Sequence, residues 1–145
     1  MHSDKFLKTC YNKLDKGLAK FNLNLGIVSR IENDTYHLIA VRDPSGAFKV
    51  GESFSLGDTY CREVWNKGKS VSIPTENDER KIQEHPLYAN LPLEAYISAP
   101  ILHDSKIWGT INFSDLKSRH SFSLDDIQYT ERLAADIAAA LFEAN

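Results

Sequence analysis

The sequence predicts an α+β domain built on one central antiparallel sheet, with a helix at each end of the chain. Three observations carry that expectation. Two pairs of short apolar runs, 25–31 with 36–41 and 96–102 with 107–114, each enclose a polar turn, as β-hairpins do. Residues 4–22 and 124–143 repeat apolar side chains at helical spacing. The stretch between the hairpins mixes brief apolar runs with Gly, Pro and charge. Strands grouped between terminal helices imply helices layered on a sheet. No repeat, low-complexity tract or linker divides the chain, so residues 1–145 are expected to form a single domain.

In the first helix, Leu7, Cys10 or Tyr11, Leu14, Leu18 and Phe21 fall on one stripe. Ser3 stands where its hydroxyl can accept from a backbone N–H that the helix start leaves without a partner. Gly17 weakens the middle slightly. Leu25–Ile31 and Tyr36–Val41 flank Glu32-Asn33-Asp34, a turn composition. Asp43-Pro44-Ser45-Gly46 breaks the pattern, and Ser53–Leu56 is a candidate short strand. A helix is expected over Asp58–Lys67, with Asp58 or Thr59 as N-cap and Gly68 at its stop. Val71–Ile73 reads as a strand ended by Pro74, and 75–92 as loop with one short helix near Glu79–Glu84.

Tyr96–Leu102 and Ile107–Ser114 form the second hairpin about His103-Asp104-Ser105-Lys106. Ser123 opens the last helix, and Asp126 three residues on makes an acidic variant of the capping box. Its apolar stripe is Ile127, Thr130, Leu133, Ala134, Ile137, Ala138 and Leu141.

At 145 residues the chain is long enough to bury a core. A net charge of -3 and a sequence pI of about 5.9 argue against a general nucleic-acid surface. No apolar run approaches the ~20 residues that span a bilayer, and Met1–Cys10 lacks a signal-peptide core. A cytoplasmic location without membrane contact is the expectation. Cys10 and Cys61 are too few for a disulfide framework and lack metal-site spacing. None of the five histidines pairs with another ligand at metal spacing. No nucleophile elbow, Gly-rich phosphate loop or zinc helix is present, so no catalytic residue is assigned and an enzyme is not expected.

The sharpest local cluster is Asp58-Thr59-Tyr60-Cys61. With Asp58 as N-cap, Cys61 sits in the first helical turn, where N–H groups and the helix dipole can meet an anionic or carbonyl group. The same field can activate the thiol; an ordinary capped helix with an inert cysteine is the alternative. Along Ile107–Ser114, Ile107, Gly109, Ile111 and Phe113 share one face, and Trp108, Thr110, Asn112 and Ser114 the other. Tyr96 and Ser98 alternate likewise on the partner strand. By itself, a face carrying Thr, Asn and Ser is normally turned to solvent. Glu94 is either an acceptor at a pocket mouth or a surface carboxylate. Trp65, Tyr88, Tyr96 and Trp108 are aromatic candidates for stacking on a ligand, or core residues.

Five segments in order, LGIVSRIENDTYHLIAV (25–41), FSLGDTYCREV (54–64), HPLYANLPLEAYISAPI (85–101), WGTINFSD (108–115) and FSLDD (122–126), resemble the GAF domains. These are small-molecule sensor modules of signalling proteins. The nearer likeness is to the subgroup beside bacterial histidine kinases and diguanylate cyclases, which includes two-component systems. The resemblance implies a profilin-like or PAS-like fold, with the terminal helices on one sheet face and the middle segment over the other. A ligand pocket lies between that segment and the sheet. It turns the polar stripe inward, so Asp58, Thr59, Cys61, Trp65, Tyr88, Glu94, Tyr96, Ser98, Thr110, Asn112 and Ser114 become candidate pocket residues. It also implies a homodimer through the terminal helices and a covalently attached output domain.

The resemblance bears on ligands as well. Cyclic-nucleotide-binding members carry a spaced Asn, Lys, Phe, Asp, Glu signature, of which only Phe122 and Asp126 remain here. Bilin-binding members carry a cysteine before the second hairpin, whereas 75–92 holds His85 and no cysteine. Cyclic nucleotide, bilin and haem are each disfavoured, leaving an unknown small molecule as the expected ligand. The expected function is a sensor that relays occupancy through its terminal helices. The alternatives are a dimerisation and relay module without ligand, and a thiol redox sensor or reductase using Cys61.

Overall fold

The computed structural model describes residues 2–73, 86–87, 91–117 and 119–142. Ten elements follow one another: α1 (Asp4–Phe21), β1 (Leu25–Glu32), β2 (Thr35–Arg42), β3 (Ser53–Ser55), a 3-10 turn (Leu56–Asp58), α2 (Arg62–Lys67), β4 (Val71–Ile73), β5 (Ala95–His103), β6 (Lys106–Asp115) and α3 (Leu124–Phe142). The described strands make one antiparallel sheet in the order β3-β2-β1-β6-β5-β4. Both hairpins turn in two residues at positive φ, Asn33 and Asp34 in the first, Asp104 and Ser105 in the second. That backbone matches the twist of the strands it joins.

The sheet separates two apolar clusters. On one face α1 and α3 bury Phe6, Cys10, Leu14, Phe21, Leu133, Ala134 and Ile137 against Val28, Ala99, Ile111 and Phe113. On the other, Leu56, Tyr60, Cys61 and Val64 pack on Ile27, Ile31, Tyr36, Leu38 and Tyr96. The caps behave as expected. Ser3 Oγ accepts from Phe6 N at 3.1 Å, and α1 stops at Asn22 in the left-handed region. Ser123 N donates to Asp126 Oδ2 at 2.9 Å while Asp126 N donates to Ser123 Oγ at 3.1 Å, a reciprocal box.

Two expectations are corrected. The alternation along β6 breaks at Trp108. Ile101 pairs with Gly109 and Leu102 with Ile107, leaving Trp108 as a bulged extra residue. Trp108 therefore turns to the helix face, edge-on to Phe6 at 6.2 Å, and Ile107 packs on the opposite face. Arg30 Nη1 donates to the Trp108 carbonyl at 2.8 Å, and its guanidinium lies 5.0 Å from the indole. A second bulge, at Ile39 between partners Leu38 and Ala40, does the same to β2.

The helix expected over 58–67 is the other correction. Thr59 is extended, at φ -122 and ψ 152, and splits the segment into the 3-10 turn and α2. Leu56, Tyr60 and Cys61 are all buried in the cluster beneath this segment, with the extended Thr59 between them. The expected helix near Glu79–Glu84 lies outside the described residues.

Candidate ligand pocket

The polar stripe of β6 is buried, and its centre is the Cys61 thiol. Cys61 occupies the N-cap position of α2 with helical φ of -66 and makes no cap hydrogen bond. At this helix start the Arg62 and Glu63 N–H groups donate to the Thr59 and Tyr60 carbonyls at 3.2 and 3.1 Å. The sulfur instead faces the sheet. Sγ lies 2.9 Å from the Tyr96 hydroxyl, 3.2 Å from Thr110 Oγ1 and 3.3 Å from Asn112 Nδ2. Tyr36 Oη and Ser98 Oγ stand farther off, at 3.7 and 3.9 Å. Behind the sulfur, Thr110 Oγ1 and Ser29 Oγ are 2.8 Å apart. Asn112 Nδ2 donates to Tyr36 Oη at 2.8 Å, and Ser98 Oγ donates to the Ile111 carbonyl at 3.2 Å.

A layer this deep persists only because its members satisfy one another. Burial pushes the Tyr36 and Tyr96 phenols well above their usual 10, and the neighbouring Cys61 adds to the effect. Both phenols are thus neutral hydrogen-bonding groups.

Beside this layer lies an inner cavity of about 270 Å³. Leu25, Ile27, Tyr36, Tyr96, Asn112 and Ser114 form its sheet wall, and Phe54, Asp58, Thr59, Tyr60 and Cys61 its cover, with Phe48, Leu91 and Leu93 at the edge. Tyr60 Oη donates to the Leu91 carbonyl at 2.6 Å and ties cover to edge. An outer cavity of about 360 Å³ shares Leu25, Phe48, Leu91 and Leu93 with the inner one and adds Asp43 and Asp115. Asp115 Oδ2 accepts from Asn24 N at 3.0 Å. Asp43 folds the next loop by accepting from Ser45 N and Phe48 N, both at 2.9 Å. Burial works to raise the Asp43 carboxyl, but the hydrogen bonds from Ser45, Phe48 and Ala47 outweigh it and hold the carboxyl below its usual 3.8.

Of the residues singled out from sequence, Asp58, Thr59, Cys61, Tyr96, Asn112 and Ser114 meet at the inner cavity. Ser98 and Thr110 belong to the hydrogen-bonded layer behind it. Trp65 is 40 % exposed and points elsewhere. Glu94 lines neither cavity and is placed through its N–H, which donates to the Asp115 carbonyl at 2.9 Å. Tyr88 lies outside the described residues.

Tyr36, Phe48 and Phe54 were missed, and Tyr60 was named only as a neighbour of Cys61. Tyr36 was findable, since it shares a strand face with Leu38 toward the middle segment. Phe48 is on a loop, where no periodicity speaks for it. Among the described residues no group of His, Cys, Asp and Glu is arranged to hold a metal, and no helix is long and apolar enough to cross a membrane.

The GAF domain family model matches residues 17–141. The chain belongs to the GAF domain family. GAF domains are sensory or regulatory modules, and solved structures of that fold superpose on almost all of this one. The chromophore-binding domain of the bacteriophytochrome RpBphP3 from R. palustris is similar at 17% identity and a TM-score of 0.75, over 98% of this chain and 58% of that one. The blue-light absorbing form of the Thermosynechococcus elongatus PixJ GAF domain is similar at 13% identity and a TM-score of 0.71, over 95% of this chain and 85% of that one. The free methionine-R-sulfoxide reductase of Neisseria meningitidis is similar at 16% identity and a TM-score of 0.72, over 94% of this chain and 77% of that one. The chain thus spans little more than half of the R. palustris domain. No curated protein matches it by sequence.

These likenesses correct one expectation. A bilin was disfavoured because residues 75–92 hold no cysteine, yet chromophore-binding domains of bacteriophytochromes are among the structures this GAF domain is most similar to. A missing cysteine is one local feature and does not by itself exclude a bilin from this fold. The exclusion of a bilin is withdrawn.

Proposed function

We propose that this GAF domain binds a small molecule in the inner cavity and relays its occupancy through α1 and α3 to an output domain of a bacterial signalling protein. Histidine kinase and diguanylate cyclase outputs fit the sequence segments quoted above. One observation carries the reading. The wall brings to the cavity two polar atoms that make no hydrogen bond among the described residues, the Ser114 hydroxyl and the Asn112 amide oxygen. Both residues line the cavity. Groups of that kind call for a ligand or ordered water.

Native mass spectrometry of freshly purified protein tests the reading. The expected result is an added mass that is lost on denaturation. A bare protein that also gains no thermal stability across a metabolite screen overturns it.

A second reading, a relay module without ligand, is favoured by the completeness of the hydrogen bonds around Cys61. The same measurement separates the two. Self-association through the terminal helices is part of the first reading. Its support is the outer face of α3, where Ala135 is exposed and Ala139 half-buried, since small side chains permit close helix approach. Light scattering is expected to give a dimer mass. A strict monomer at about 100 µM, in the range where weak association shows, overturns that part.

A further inference from the structure

The two cavities are asymmetric in charge. Every ionisable side chain on the described inner wall other than the phenols and the Cys61 thiol is an acid, namely Asp58. Among the described residues the outer wall adds Asp43 and Asp115 and brings no Lys, Arg or His. Asp43 and Asp115 are already engaged by backbone N–H groups, whereas the Asp58 side chain is exposed at the rim.

Deeper in, two polar groups face the cavity. Asn112 gives its Nδ2 to Tyr36 and Cys61, so its remaining amide oxygen can only accept. Ser114 offers a hydroxyl that can accept or donate. The rest of this wall is aliphatic or aromatic. Tyr60 and Tyr96 lie 5.6 Å apart, and Phe48 and Phe54 6.0 Å apart edge to face. At about 270 Å³ the inner cavity is just below the ~300–1,000 Å³ usual for ligand pockets and has room for one or two rings.

We propose that the pocket prefers, within one ring system, a small aromatic molecule carrying amine or ammonium donors over its carboxylate counterpart. The ring lies among Tyr60, Tyr96, Phe48 and Phe54. Its donors meet Asp58 at the rim and the Asn112 oxygen and Ser114 hydroxyl inside. The ligand class rests on the cavity reading above. An aromatic face also favours a nearby cation, through the ring quadrupole. An anion in the same place would meet the Asp58 carboxylate and the Asn112 oxygen, with hydroxyl donors but no cation among the described lining residues to replace its lost hydration.

The test is a matched series with one ring system: tryptamine (cation), indole-3-ethanol (neutral) and indole-3-acetate (anion). Affinities come from titrations of isotope-labelled protein followed by amide chemical shifts. Tryptamine is expected to bind at least about tenfold more tightly than indole-3-acetate, equivalent to roughly 1.4 kcal/mol, with the alcohol between them. The shifted amides should include Tyr96 and Ser114. Asp58→Asn should weaken tryptamine about threefold or more and leave the alcohol unchanged; an exposed side chain makes that variant safe to fold.

Equal or tighter binding of indole-3-acetate overturns the selectivity and leaves the cavity reading standing. So does failure of all three probes on a protein that carries a bound mass in native mass spectrometry. Failure of all three on a bare protein overturns both.

Discussion

Thr110 and Asn112 stand at the centre of the buried polar layer, and each holds two partners. Thr110 meets Ser29 and Cys61, while Asn112 meets Tyr36 and Cys61. Replacing both by leucine removes the Thr110 hydroxyl from Ser29, the amide donor from Tyr36 and two contacts from Cys61, leaving Ser29 only the Thr110 N–H and Cys61 chiefly Tyr96. A stranded buried polar group costs about 1–3 kcal/mol, so the Thr110→Leu, Asn112→Leu protein should lose about 2–5 kcal/mol in urea unfolding. Unchanged stability would mean that the layer contributes nothing net.

The two phenols give a sharper reading. Their pKa values are raised on folding, so the unfolded chain ionises first. Their contribution to stability is complete below 10 and disappears as pH rises beyond it. In an alkaline titration followed by phenolate absorbance, Tyr36 and Tyr96 should stay silent until the protein unfolds. Tyr36→Phe should then reduce the late step and not the early one. Early ionisation of every tyrosine would contradict their burial.

Elements were more legible than their details. The terminal helices announce themselves by period and cap, and the hairpins by alternation around Asn33-Asp34 and Asp104-Ser105, because both signals are local. Trp108 and Ile39 escaped because a bulge inserts one residue without changing composition, and a period of two then misassigns everything on one side of it. The α2 segment escaped for a different reason. Asp58 looks like a cap in isolation, but the extended Thr59 follows it, between the buried Leu56 and the buried Tyr60 and Cys61. Half of the pocket was visible, through Tyr96, Asn112, Ser114 and the 58–61 cluster. The other half comes from side chains that only the tertiary fold brings together, such as Phe48 and Leu91.

Gly17 shows the same conflict inside one element. Propensity alone favours Gly17→Ala by up to about 1 kcal/mol. However, a Cβ at Gly17 would overlap the Phe113 ring, which is itself fully buried. Overpacking of this kind costs about 1–3 kcal/mol, so the alanine variant should melt lower than the parent. A higher melting temperature would mean that α1 rides loosely on β6.

At the scale of the whole molecule, one sheet is the partition between the pocket and the helices. Along β5, Tyr96 and Ser98 face the Cys61 layer while Ile97, Ala99 and Ile101 face α1 and α3. A shift of Tyr96 to admit a ligand therefore also moves the bed on which α3 lies, as close-packed interiors transmit strain.

Amide exchange can show whether that coupling exists. A ligand slows only those openings that destroy its site, by a factor of 1 + [L]/Kd. With tryptamine at about ten times its Kd, β5 and β6 amides should slow about tenfold. If α3 opens only together with the pocket, the amides near Leu133 and Ile137 should slow by the same factor. Slowing confined to the sheet, with α3 exchanging as before, would mean that the helix detaches on its own. Occupancy would then have no route through the sheet to whatever α3 is joined to.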